Sequence, residues 1–279
     1  MTWWLAALLG LVQGATEFLP VSSSGHLAVL RRVYESLTGS ELANPQFYEV
    51  LLHMGSLCAV FIAFHKDIAE LWRGFLSLLS SEGRNKESLR PSRRLILLLV
   101  IATLPMVIGA LLQKQVEALS SNLFFVGMAL IGTGVLLRVA DRLKSGRKNG
   151  KTARVSDAAA VGLIQAAAVI PGLSRSGSTI AMGLMRDFDR QFAVKFSFLL
   201  SIPAIVGATL LKLIQALVEG IEPDGILVCL PGVLAAFVTG FLAIGLLRRM
   251  AARGKFGVFV YYCLAIGVTA IVLNFALPS

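Results

Sequence analysis

The sequence is short of charge. Asp, Glu, Lys and Arg make up 15% of its 279 residues, against about 25% in soluble domains. Apolar residues make up 56%, and the mean hydropathy is +0.76. A soluble globular domain is excluded and an integral membrane protein is implied. Cysteine is scarce too. Cys58, Cys229 and Cys263 all sit inside apolar runs, with neither a disulfide framework nor metal-ligand spacing, so packing is their expected role. No Lys or Arg precedes Arg31, so the positive start of a cleavable signal peptide is not found. Acidic residues number 16 against 26 basic ones. No aromatic–basic recognition surface accompanies that excess, and nucleic acid is not expected as a partner.

Long apolar runs are what the chain has in plenty. Six segments, roughly 47–65, 95–113, 121–138, 196–213, 226–247 and 256–277, approach the length of about 20 residues that a spanning helix needs. Two further apolar regions, 1–30 and 157–185, are each interrupted midway by Pro, Gly and a serine cluster. Both read as helix–break–helix. Unwound backbone at membrane depth is tolerated only where it is buried in protein or lines a wet cavity.

The two broken regions repeat each other. "GLVQ" at 10–13 matches "GLIQ" at 162–165, and the same offset places Ser22, Ser24 and Gly25 on Ser174, Ser176 and Gly177. Downstream, "VLLHMGS" (50–56) falls near "FLLSIPA" (198–204). The expected unit is one re-entrant hairpin followed by three spans, present twice: repeat one about 1–140, repeat two about 157–279. Three spans is an odd number, so the second copy enters the membrane inverted. The predicted fold is therefore an all-α polytopic membrane protein, a single integral membrane domain over 1–279. It has six transmembrane helices and two re-entrant broken-helix hairpins in an inverted-topology repeat. Binding sites in such folds lie near the midplane, at the repeat interface.

The basic residues fit this plan. Segments 66–94, 138–155, 186–195 and 248–255 hold 21 of the 26 Lys and Arg. The opposite face has Arg31, Arg32, Lys114 and Lys212, and Arg175 lies inside the second break. By the positive-inside rule the basic face is cytoplasmic and both termini lie outside.

The first break reads Glu17-Phe-Leu-Pro20-Val-Ser22-Ser23-Ser24-Gly25-His26, the second Pro171-Gly-Leu-Ser174-Arg175-Ser176-Gly177-Ser178-Thr179. Serines ahead of an apolar run are helix N-caps. A helix N-terminus carries unpaired N–H groups and partial positive charge, which suit phosphate. Two converging termini make a pyrophosphate cradle from Ser22, Ser24, Gly25, Ser174, Ser176, Gly177 and Thr179, to which Arg175 adds two-pronged recognition of phosphate oxygens. Ser23 and His26, three apart on a helix, can form a nucleophile–base pair; direct attack by a water that His26 or Glu17 activates is the alternative. Glu17 is expected to orient His26 or to hold a divalent cation, Mg²⁺ or Ca²⁺. Each residue also has a plainer reading. The serines cap helices, His26 and His53 are hydrogen-bonded core residues, His65 is interfacial, and Arg175 is a structural partner of Glu17. Asp157, Asp187 and Asp189 cap or solvate.

"QGATEFLPVSSSGHL" and "PGLSRSGSTI" resemble the two signature motifs of the undecaprenyl pyrophosphate phosphatase family, linked to bacitracin resistance. The resemblance extends through "FYEVLLHMGSL" and "KFSFLLSIPAIVGA". It implies a hydrolase of the bacterial plasma (inner) membrane, a homodimer dependent on a divalent cation. Such an enzyme cleaves undecaprenyl pyrophosphate to undecaprenyl phosphate and inorganic phosphate, recycling the lipid carrier for peptidoglycan synthesis. Glu17, Ser22, Ser23 and His26 fall on the first motif; Ser174, Arg175, Ser176 and Thr179 fall on the second. The family's first motif often carries two glutamates four apart. Here the earlier position is Gln13, which puts a two-carboxylate metal site in doubt. His53 stands where glutamine is often found. The rival class is a lipid flippase or secondary transporter of an anionic, phosphate-bearing substrate, since inverted repeats with broken helices are a transporter plan.

Overall fold

A computed structural model describes residues 2–40, 45–79, 87–112, 119, 122–219, 224–254 and 256–277. Lys114 and the expected span ends at 113 and 121 lie outside the described residues. Twelve helices are named here: α1 (Trp3–Phe18), α2 (Ser23–Thr38), α3 (Pro45–Ala63), α4 (His65–Leu79), α5 (Arg90–Thr103), α6 (Met106–Leu111), α7 (Leu123–Arg142), α8 (Val155–Ala167), α9 (Arg175–Met185), α10 (Arg190–Glu219), α11 (Asp224–Ala252) and α12 (Gly257–Ala276). No strand longer than an isolated bridge, Lys148 to Phe188, occurs among the described residues.

Among the described residues five stretches have the length and apolarity of membrane spans: Glu87–Gly109, Leu123–Arg142, Arg190–Leu211, Leu227–Ala252 and Gly257–Ala276. The pair α3–α4, bent by 81° at Phe64, supplies a sixth. The broken regions fall where the sequence places them. Leu19, ahead of Pro20, is extended (φ −67°, ψ 145°), because the proline ring clashes with a helical residue before it. The chain re-enters helix at Ser23. In the second region α8 ends at Ala167, and Gly172 (φ 93°) supplies a left-handed residue before α9, a conformation open to glycine without steric cost.

Two features differ from the sequence expectation. The span expected as continuous over 95–113 is interrupted between α5 and α6 at Leu104–Pro105, since proline removes a backbone donor and crowds the preceding turn. The polar segment after residue 65 begins as helix α4, which turns sharply from α3 and leaves Trp72, Phe75, Leu76 and Leu79 exposed. Apolar side chains in a helix bent away from a span suit the membrane–water boundary.

Packing follows the repeat. Helix α1 lies along α11, and its counterpart α8 lies along α5; α3 packs on α10, and α7 on α12. Glycines let these backbones approach. A Cβ on Gly10 would run into the Gly232 carbonyl oxygen, and one on Gly162, 152 residues on, would stand 2.5 Å from that of Ala102. Gly127 of α7 and Gly267 of α12 face each other's carbonyls, with corresponding distances of 2.6 and 2.8 Å. Small residues at helix crossings are how membrane helices gain close packing.

The four basic segments meet at one end of the molecule. Lys195 pairs with Asp67, Arg94 donates to the Ala153 carbonyl (2.7 Å), Arg190 donates to that of Leu143 (2.9 Å), and Arg248 stacks over Phe64. Asp157 does more than cap α8. Fully buried, it accepts the Arg154 amide (2.9 Å), Lys148 (3.0 Å) and Arg186 (2.9 Å), tying the loop before α8 to the end of α9. Burial works to raise its pKa, but the Arg154 amide and the two cations outweigh burial and hold the carboxyl below its ordinary value. Asp189 caps α10 by accepting the Phe192 amide (2.8 Å).

Candidate active site between the broken hairpins

The two breaks are built alike. Ser22 Oγ accepts the Gly25 amide at 3.2 Å, and Ser174 Oγ accepts the Gly177 amide at 3.0 Å. Each cap also contacts the second serine on, Ser22 with Ser24 (3.3 Å) and Ser174 with Ser176 (3.2 Å). Two bonds then join the hairpins: the Gly172 amide donates to Ser24 Oγ (3.3 Å), and Ser176 Oγ donates to the Leu19 carbonyl (3.1 Å). Helices α2 and α9 thus begin side by side. The first-turn amides not taken by the caps have no intrahelical acceptor. Ser22 is held at φ 69°, a strained position for a residue with a side chain.

A cavity of about 280 Å³ opens at this junction. Its wall includes Glu17, Ser22, Ser23, Ser24, His53, Ser174 and Arg175, with Val169 and Leu173 among its apolar members. Glu17 is its hub. One carboxylate oxygen takes Arg175 Nη2 at 2.5 Å; the other takes Ser23 Oγ at 2.6 Å and Gln13 Nε2 at 3.0 Å, with His53 Nε2 at 3.5 Å. The Arg175–Glu17 pairing named above as the plainer reading is therefore present, and it stands on the cavity wall.

The expected Ser23–His26 pair is not formed. His26 sits in the first turn of α2, and its ring folds back so that Nδ1 donates to the Ser22 carbonyl at 2.7 Å. Its Nε2 meets the Tyr262 hydroxyl at 2.8 Å. Sharing a helix face at three-residue spacing does not fix which way a ring points, and a carbonyl one turn back claimed it. The acceptor for the Ser23 proton is Glu17, and Glu17 does not orient His26. Of the expected cradle residues, Ser22, Ser24 and Ser174 line the cavity; Gly25, Ser176, Gly177 and Thr179 do not. Gly25 and Gly177 pack against the opposite hairpin, at Gly172 and Pro20. Thr179 bonds the Arg175 carbonyl (2.8 Å) and Ser197 (2.6 Å). Tyr262 was not legible as a partner, lying 236 residues away in the middle of an apolar span.

The described residues form no dedicated all-protein cage for a divalent cation. No three His, Cys, Asp or Glu side chains come together among the described residues. The single carboxylate is already ringed by donors, and Gln13 occupies the position where a second carboxylate would stand.

The class so defined is an all-helical, multi-pass membrane protein with a buried hydroxyl–carboxylate–guanidinium site where two broken helices meet. Residues 6–269 match the family described as bacitracin resistance protein BacA, and the chain belongs to that family. It is 39% identical to the undecaprenyl-diphosphatase of Alkaliphilus metalliredigens over 99% of this chain and 100% of the relative. It is 38% identical to that of Methanosphaera stadtmanae over 98% of each chain. A third relative, an undecaprenyl-diphosphatase 4 of Bacillus cereus, is 37% identical over 99% of this chain and 98% of its own.

Proposed function

We propose that this protein hydrolyses undecaprenyl diphosphate to undecaprenyl phosphate and inorganic phosphate, returning the lipid carrier to cell-wall synthesis and conferring bacitracin resistance. The observation that carries the reading is the Ser23 hydroxyl donating at 2.6 Å to Glu17, with Arg175 on the other carboxylate oxygen, in a chain related end to end to proteins of that name.

Phosphoryl transfer asks for positioning and charge stabilisation more than for covalent help. Diphosphate oxygens compete with Glu17 for the guanidinium, whose planar fork suits them. As Arg175 turns to the terminal phosphate, Glu17 loses a neutralising partner and becomes a better base. Ser23 Oγ then attacks the terminal phosphorus, its proton passes to Glu17, and the bond from phosphorus to the bridging oxygen breaks. Glu17 delivers that proton to the departing lipid phosphate. Water next attacks the phosphoserine; Glu17 takes the water's proton and returns it to Ser23 Oγ as inorganic phosphate leaves. The N-termini of α2 and α9 favour the charge gathering on the transferred group.

A divalent cation enters this reading as a counter-ion on diphosphate oxygens and water, the usual company of Mg²⁺, and not as a resident of the protein. A homodimer in the bacterial plasma membrane is what the resemblance of the two motifs implies. The gathering of basic segments at one end supports a cytoplasmic basic face with both termini outside. Reporter fusions in the loop at 141–155 and after the last residue should report opposite sides, the loop cytoplasmic; the same side for both would overturn that topology. The activity is tested by phosphate release from undecaprenyl diphosphate by the purified chain in detergent, where no second compartment exists for translocation. Absence of release would overturn the reading.

A further inference from the structure

Apart from the helix N-termini and any cation carried in on the diphosphate, the cavity's own side chains offer little surplus positive charge. Its described lining carries three ionisable side chains, Glu17, His53 and Arg175. Glu17 and Arg175 neutralise each other across 2.5 Å, so the pair offers a dianionic or trianionic diphosphate no surplus of positive charge. What remains is His53.

His53 lies on α3, and both of its ring nitrogens face acceptors. Nδ1 stands 2.7 Å from the Glu49 carbonyl oxygen, which can only accept, so Nδ1 carries a hydrogen. Nε2 stands 3.5 Å from Glu17 Oε2. A lone pair aimed at a carboxylate is repelled, whereas an N–H is attracted; the placement suits a ring protonated on both nitrogens. The groups facing it are few. Glu17 comes from α1 and Arg175 from α9; α10 contributes Ala204, Ile205 and Ala208 to the same wall, and Glu49 is on its own helix. Among the described lining residues none but His53 can turn the net charge of the wall positive.

We propose that His53 is a substrate-binding residue, an imidazolium that supplies the second positive charge of the diphosphate pocket. Glu17 and Arg175 then form a neutral pair, and His53 leaves the wall at a net charge of one positive unit. In a concave site whose wall is partly apolar, such a charge draws an anion more strongly than it does in open water. Its main effect is on binding: His53 does not touch Ser23 and adds affinity for the diphosphate group before the transfer, while its 3.5 Å contact with Glu17 also bears on the base.

The inference rests on the phosphatase reading, and the test separates the two. Full-length protein in detergent is assayed on undecaprenyl diphosphate, with inorganic pyrophosphate as a competing probe. If the wild type releases no phosphate, the phosphatase reading fails. If the wild type is active, His53→Gln, which keeps a side-chain donor without the charge, should raise KM and the half-inhibitory pyrophosphate concentration by about fivefold to tenfold. Because His53 also contacts Glu17, kcat is measured alongside, and the assignment is read from KM and the pyrophosphate constant. His53→Lys, which restores the charge, should bring both constants back toward wild type. Inhibition by pyrophosphate should also weaken more steeply with ionic strength in the wild type than in His53→Gln, because one ion interaction fewer is left to screen; this comparison stands even if the lysine variant fails to fold. Unchanged KM in His53→Gln, a fall confined to kcat, lysine no better than glutamine, or equal salt slopes would each overturn the assignment.

Discussion

Glu17→Gln is the substitution that weighs most on the proposed chemistry. It keeps the shape of the side chain and removes the charge that accepts the Ser23 proton. A positioned general base contributes about 10²–10⁴-fold, equivalent to about 2.7–5.4 kcal/mol at about 1.36 kcal/mol per tenfold. Turnover should fall by that range. Ser23→Ala should fall at least as far, and the double variant should be no worse than the poorer single one, since groups that work as a unit lose their effect together. His26→Ala is the contrast. His26 bonds the Ser22 carbonyl and Tyr262 and does not reach Ser23, so its loss should cost about tenfold or less, through loosening of the α2 start. Stability needs its own measurement. Glu17→Gln strips Arg175, itself largely buried, of its counter-charge, and breaking a buried pair costs about 3–5 kcal/mol, a large part of the 5–15 or so that a typical fold holds. Melting in detergent and phosphate release are therefore read together, with Glu17→Asp as the variant that keeps the charge. If His26→Ala proves as inactive as Ser23→Ala while folded Glu17→Gln stays near wild type, His26 is the base and the assignment made from this geometry is wrong.

Other variants probe separate parts. Arg175→Lys keeps a point charge but loses the two-pronged geometry, and turnover should drop by about 10²-fold, as when one oxyanion donor is removed, with little change in melting temperature; near-normal turnover would leave Arg175 as a structural partner of Glu17 only. Gly162→Leu drives a side chain into the Ala102 carbonyl and should lower stability by at least the roughly 1–3 kcal/mol of overpacking, whereas Gly132→Ala, with nothing within 4 Å of the new Cβ, should melt like the wild type. Asp157→Asn should lower the melting temperature at neutral pH. Because the folded carboxyl is held below its unfolded pKa, the stability it lends is complete above the ordinary carboxylate range and fades as pH falls through the folded value. The gap between wild type and Asp157→Asn should accordingly close in strong acid, and a gap independent of pH would refute the ion-pair account.

How much of this was legible in the sequence depends on how local each determinant is. The breaks were readable because Pro20, Pro171 and Gly172 act on their immediate neighbours, and the caps because a serine reaches an amide three residues on. The repeat was readable because both copies keep the same punctuation. The interruption at Pro105 carried the same kind of signal but sat inside an apolar run, where hydropathy spoke louder than the proline. The partners of His26 were not readable. Spacing allowed Ser23, yet the ring had a nearer acceptor in the Ser22 carbonyl and a distant partner in Tyr262, and neither choice is written in a helical period. His53 was visible as an oddity in an apolar run. Its contact with Glu17 arises only from the packing of α3 against α1.

The duplication also explains why one half of the site does not suffice. Positions 152 apart both line the cavity: Thr16 and Ala168, Glu17 and Val169, Ser22 and Ser174, Ser23 and Arg175. The caps, Ser22 and Ser174, are identical because the backbone demands them; a helix restarting at membrane depth needs its first amides satisfied wherever it occurs. The chemistry differs because it has to. A glutamate at 169 would bring a second carboxylate to the same low-dielectric wall, where like charges disfavour each other's ionised form, and a second serine at 175 would leave Glu17 without a counter-ion. Replacing one copy's carboxylate with valine and one copy's hydroxyl with arginine turns a two-fold scaffold into a directional site. In the proposed reaction the first hairpin holds the hydroxyl and its base and the second holds the cation that receives the phosphate, so the terminal phosphate would have one orientation in which Ser23 meets phosphorus while Arg175 holds its oxygens.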